Sequence, residues 1–239
     1  MALSVTTRKS LFGINALSAW IGLGMSTFIE LFGLVEPLDT GKPPVTSLFG
    51  HAGDYQSGLA GAPERLFDLF SYFTIWSQIM VGVVMTLLYL NPARDGKLFR
   101  VFRIDSILMI TVTGVVYNLL LGPNYPPQGL NQISSPIQHT ITPLITVLVF
   151  LIAGPRGWFT LKNILASLVV PIVYVFYTLF RGAIIDKYPY DFFDVVTEGY
   201  AFVLIFVLGI LAASVFVTGL YWAIDKLLSR KSNTAQGAK

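Results

Sequence analysis

Six apolar stretches, each long enough to cross a bilayer as a helix, constrain this chain more than any other feature. A hydrocarbon core of about 30 Å takes about 20 helical residues. The stretches run over residues 11–35, 66–90, 104–121, 136–153, 164–185 and 197–224. They are continuously apolar, whereas barrel strands alternate over segments of about ten residues, so helices are expected. Of the 239 residues, 12% are charged, about half the roughly 25% of a soluble domain. The expected fold is therefore all-α: a polytopic integral membrane protein, one domain over 1–239 with six transmembrane helices.

Basic residues orient such a chain. Twelve of the sixteen Lys and Arg fall on one side, among them Arg8, Lys9, Arg94, Lys97, Arg156, Lys162 and Lys226. Lys42, Arg65 and Lys187 fall on the other, with Arg181 near a span end. The asymmetry predicts both termini in the cytoplasm, a long outer loop over 36–65 and a short polar cytoplasmic tail over 225–239. The apolar run after Arg8 and Lys9 is too long for a cleaved signal. A multi-pass protein of the cell membrane is expected if the source is bacterial. The net charge of +3 reads as topology and contact with anionic lipid; no nucleic-acid partner is expected.

The chain has no cysteine, which excludes disulfides, thiol catalysis and thiolate metal sites. Two His without a carboxylate cluster at helical spacing make a poor metal site, and His51 lies in the long loop. No phosphate-binding loop, dinucleotide fingerprint or zinc-protease motif occurs, and no nucleophile elbow. No metal and no cofactor are expected. Small residues recur at Ser18, Gly22 and Ser26 and at Gly209 and Ala213, spacing that suits helix packing within the bundle or a homo-oligomer contact.

Every polar residue inside a span then needs a reason. Ser71, Thr74 and Gln78 share one face of the second span, beside Ser77. Tyr117 and Asn118 close the third. Ser135 and Pro136 are placed to cap and open the fourth, which continues through Gln138, His139 and Thr140. Tyr174, Tyr177 and Arg181 line the fifth, followed by Asp186, Tyr188 and Tyr190, and Glu198 opens the sixth. Thr74 lies about 12 Å from the outer edge and His139 about 5 Å. Pro143 and Pro171 each remove a backbone donor inside a span. A membrane Thr ordinarily bonds its own helix, whereas a membrane His titrates near neutrality and is rare.

FSYFTIWSQ (70–78), QHTITPL (138–144) and DKYPYDFFDV (186–195), in this order and on these spans, resemble the androgen-induced membrane protein family, in particular its bacterial six-span branch. The likeness runs over most of the chain after the long loop. Animal members are intramembrane threonine hydrolases that cleave fatty acid esters of hydroxy fatty acids, with a catalytic Thr in the second helix and a His in the fourth. The resemblance implies those roles for Thr74 and His139.

The resulting expectation is an intramembrane lipid-ester hydrolase with Thr74 as nucleophile and His139 as base. Its partners would be membrane lipids and a fatty-acyl ester substrate. Asn118, Arg181, Gln78, Ser77 and Tyr188 are candidates to bind an oxyanion or the substrate's polar group. Asp68 and Glu198 are candidates to orient His139. The alternatives are a transporter or channel with a polar outer-leaflet site, and a non-catalytic membrane protein.

Overall fold

The second apolar stretch does not fold as one helix. The computed structural model describes residues 3–35, 55–56 and 58–237, and among them all regular structure is helical, with no strand. After α1 (Val5–Phe32) comes a short α2 (Ala62–Leu69), then a break, then α3 (Phe73–Leu90). α4 (Lys97–Asn124), α5 (Asn131–Ala153), α6 (Leu161–Ile185) and α7 (Val195–Gly237) follow. All but α2 are long and apolar enough to cross a membrane, giving six spans.

α1 starts on a side-chain cap, the Ser4 hydroxyl accepting the Thr7 N–H at 3.0 Å, which satisfies one of the donors that the first turn leaves free. Phe12, Ala16 and Ala19 then recur on one face and pack on Val81, Val84, Met85 and Leu88 of α3. Lipid offers no hydrophobic driving force between helices, so close fit decides the pairing. Here the Trp20 ring lies over Gly82, and its indole N–H donates to Thr86 at 3.0 Å. Gly22 and Ser26 meet Gln138 of α5, so that small-residue stripe serves packing within the chain. Gly209, by contrast, has open space before it.

α4 is the central element. Its Ile104 and Ile107 pack with Phe150 of α5, Phe159 and Tyr221 of α7 at one end of the bundle. Near the other end Tyr174 of α6 packs with Phe193, Val203 and Val207. The second end also gathers the start of α3, the end of α4, the start of α5 and the 186–194 connection.

Several boundaries differ from those expected. α5 begins at Asn131 rather than at Pro136, so Ser135 lies inside the helix and is no cap. α7 runs on to Gly237, so the expected polar tail from 225 is helical. Its first turn breaks at Gly199 (φ 79, ψ 154), backbone that only glycine adopts without strain. The 36–65 loop ends inside α2, where Arg65 is buried and donates to the Glu30 carbonyl at 2.7 Å and the Gly58 carbonyl at 2.5 Å. Most of that loop, with Lys42 and His51, lies outside the described residues.

Candidate active site

The break before α3 sets the position of Thr74. α2 ends in a turn in which the Asp68 carbonyl accepts both the Ser71 N–H at 2.8 Å and the Ser71 hydroxyl at 2.6 Å. Tyr72 is extended (φ −78, ψ 136), and α3 starts afresh at Phe73. Thr74 is thus in a first turn, where backbone N–H groups have no helical partner and the helix dipole presents its positive end. Its own N–H points to the Tyr190 hydroxyl at 3.4 Å. Within an unbroken helix Thr74 would sit deeper than His139; with α3 starting at Phe73 and α5 starting early, the two meet.

His139 lies in a π-helical turn over Ile137–Ile141. The cause is two residues beyond it. Pro143 has no N–H, so it can donate neither to the His139 carbonyl four residues back nor to the Gln138 carbonyl five back, and its ring crowds the former. Side-chain amides take both carbonyls. Asn118 Nδ2 donates to His139 O at 2.9 Å, and Gln78 Nε2 donates to Gln138 O at 2.8 Å. Asn118 itself sits in a second π-helical turn, Tyr117–Leu121 of α4. The two turns come together because Gly114 leaves room: a Cβ there would be 3.0 Å from Pro143 Cβ and 3.2 Å from His139 O.

Thr74 Oγ1 stands 3.2 Å from His139 Nε2. The other ring nitrogen, Nδ1, is 2.9 Å from the Ser135 carbonyl and 3.0 Å from the Ser135 hydroxyl. A carbonyl only accepts, so Nδ1 carries the proton and Nε2 turns its lone pair to Thr74. The Ser135 hydroxyl donates onward to Tyr117 Oη at 2.7 Å. The Tyr117 ring stacks on the imidazole at 3.6 Å between centroids and 10° between planes. The histidine is therefore held on its face, at Nδ1 and through its own carbonyl, in the tautomer that a general base toward Thr74 requires.

Thr74 lines a partly open apolar cavity. Tyr117 and Tyr190 stand with Thr74 at one end, and Leu108, Pro171 and Ser214 lie far from it along their helices. Tyr190 is on the connection between α6 and α7. Burial pushes its hydroxyl above the ordinary tyrosine range, so it stays protonated and can donate.

The remaining candidates serve other purposes. Arg181 donates to Asp68 at 2.8 Å, and Lys187 pairs with the same carboxylate oxygen at 2.7 Å. All three are buried, so Asp68 does not orient His139 and Arg181 faces no oxyanion; each charge is held by the other. Glu198 is exposed beside the Gly199 break and does not orient His139 either. That task falls to the Ser135 backbone carbonyl. Ser77 donates to the Thr74 carbonyl at 2.8 Å and contacts Thr113 Oγ1 at 3.0 Å, and Gln78 and Asn118 are spent on α5 carbonyls. Tyr188 lies against Gly182; it is Tyr190, two residues on, whose hydroxyl reaches Thr74. Among the described residues no group of His and carboxylates could hold a metal ion. No family model, curated protein or solved structure matches the chain.

Proposed function

We propose that this chain is an intramembrane hydrolase of fatty-acyl esters, of the kind found in the androgen-induced membrane protein family, with Thr74 as nucleophile and His139 as general base. The observation that carries the reading is the 3.2 Å contact of Thr74 Oγ1 with His139 Nε2, made by the tautomer that can take its proton, with Thr74 on the wall of an apolar cavity.

In the first half-reaction Thr74 Oγ1 bonds to the ester carbonyl carbon as its proton passes to Nε2. The imidazolium keeps its Nδ1–H on the Ser135 carbonyl, then returns the Nε2 proton to the departing alkoxide, which leaves as the alcohol. In the second, water gives a proton to Nε2 and its oxygen to the acyl carbon. The Thr74–acyl bond breaks, Thr74 is reprotonated, and a fatty acid leaves. The oxyanion of each tetrahedral stage needs donors. The Tyr190 hydroxyl, and the Thr74 N–H that it accepts at rest, are the donors nearest Thr74, replacing Asn118, Arg181 and Gln78 in that role. Tyr190 accepts from the Thr74 N–H at rest and keeps its own proton to donate.

Turnover of a panel of lipid esters by protein in nanodiscs tests the reading. Wild type hydrolyses acyl esters, Thr74→Ala and His139→Ala lose turnover by at least about 10³-fold, and both variants keep the wild-type melting temperature. Wild-type protein inert to every ester, or a Thr74→Ala variant with full turnover, overturns it.

The same reading puts both termini in the cytoplasm, with the site toward the outer leaflet, on the strength of the Lys and Arg asymmetry.

A further inference from the structure

The cavity has a measurable depth. Thr74, Tyr117 and Tyr190 stand at its polar end, and Leu108 and Ser214 line it where α4 and α7 are about half-way through their spans. Inward from the level of Thr74 and Tyr117, the α4 wall runs from Val116 to Leu108, about 12 Å of helix, and outward it continues to Leu121. On α7 the wall runs from Val207 to Ser214, about 10 Å. Below it the packing is tight: Leu108 and Met109 are buried, at 1% and 0% exposure, and the Ser214 hydroxyl turns away to its own helix, donating to Ile210 O at 2.8 Å. The lining is apolar along its length, so it suits a hydrocarbon chain. Carbon–carbon bonds of about 1.5 Å in zigzag advance about 1.3 Å each, so about nine or ten carbons fill 12 Å.

We infer that this cavity is an acyl-chain ruler: it takes the fatty-acyl group of the ester with its carbonyl at Thr74, accepts chains up to about ten carbons, and is bottomed by Leu108, Met109 and Ser214. The inference rests on the hydrolase reading for its chemistry but not for its measurement, because chain length can be read by binding alone. A longer chain has no room below Ser214 and must bend out of the open side or leave methylenes unburied. Each methylene that does enter adds about fourfold in affinity, so the stopping point is sharp enough to observe. Ser214→Phe raises the floor and Met109→Ala lowers it.

The test is displacement of a fluorescent fatty acid from the protein in nanodiscs by saturated acids from hexanoate to stearate. Each variant is compared with wild type at each length, so that partition into the bilayer cancels. Ser214→Phe is expected to weaken decanoate by about tenfold or more and to leave hexanoate unchanged. Met109→Ala is expected to strengthen dodecanoate relative to decanoate. Ester turnover by chain length runs beside it, with an optimum near decanoyl that moves in the same directions. A variant-to-wild-type ratio that is flat across chain lengths overturns the ruler even in an active enzyme. Length-dependent ratios without any turnover sustain the ruler and overturn the hydrolase.

Discussion

Asn118 donates from Nδ2 to the carbonyl of His139 at 2.9 Å, the carbonyl that Pro143 has no N–H to satisfy. This single bond ties the end of α4 to the residue that faces Thr74, and it converts a helix defect into a position for an imidazole. Removing Asn118 and removing Pro143 have consequences of opposite kind.

Asn118→Ala removes the side-chain donor of the His139 carbonyl, an exposed hydrogen bond worth about 0.5–1.5 kcal/mol. Pro143→Ala does the reverse: it restores a helical donor, competes with Asn118 and favours a regular α-turn, which rotates His139 away from Thr74. The expected outcome is a lower melting temperature for Asn118→Ala. For Pro143→Ala it is an unchanged or higher melting temperature with turnover reduced about a hundredfold, the scale of an ångström misplacement. Thermal unfolding and kcat measured on the same samples check both.

Tyr190→Phe removes the hydroxyl nearest the Thr74 N–H and keeps the ring. With an oxyanion donor lost, kcat falls about 10²–10³-fold while KM moves little. A loss confined to KM would assign the hydroxyl to ground-state binding instead.

The connection that carries Tyr190 is anchored by charge. Lys187 and Arg181 converge on one oxygen of Asp68, and Arg181 also donates to the Lys187 carbonyl at 3.3 Å. Asp68→Asn leaves two buried cations without their carboxylate, a change worth about 3–5 kcal/mol of destabilisation. Asn keeps the main-chain carbonyl that closes the turn before α3 and loses only the side-chain anchor of the Tyr190 connection, so a stabilised Asp68→Asn background retains the Thr74–His139 contact. Its turnover resembles that of Tyr190→Phe rather than that of His139→Ala. A melting curve and a turnover assay of the pair decide this.

The six spans were legible because bilayer thickness imposes a length that hydropathy reports directly. Thr74 and His139 were singled out by residue type and by a family resemblance, but what brings them together was not readable. The break at 70–72 has no Gly or Pro in it or beside it, and its only local signals are Ser71 and Asp68, whose hydrogen bonds close the turn. Pro143 was visible as a missing donor; which side chains answer it depends on Asn118 and Gln78 arriving from other helices. Asp68 and Glu198 are the orienters that residue type offers, because carboxylates do that work in familiar triads. Here a main-chain carbonyl of Ser135 does it, and a backbone group leaves no mark in the residue code. The long reach of Lys187 and Arg181 to Asp68 likewise joins residues over a hundred positions apart.

The absence of cysteine makes the topology directly measurable. Single cysteines at Ala93 and Asp191, both exposed and at opposite ends of the bundle, report sidedness to an impermeant maleimide. Asp191→Cys is expected to label on intact cells and Ala93→Cys only after permeabilisation. The inverse pattern would place the site on the cytoplasmic side.

The nucleophile itself can be trapped. After reaction with a fluorophosphonate probe in nanodiscs, peptide mass spectrometry is expected to find the adduct on Thr74 in wild type and none in His139→Ala, since the hydroxyl reacts only with its base beside it. Ester turnover with an adduct on any other residue, or with Thr74 unmodified in probe-inactivated protein, would contradict the assignment of Thr74 and His139.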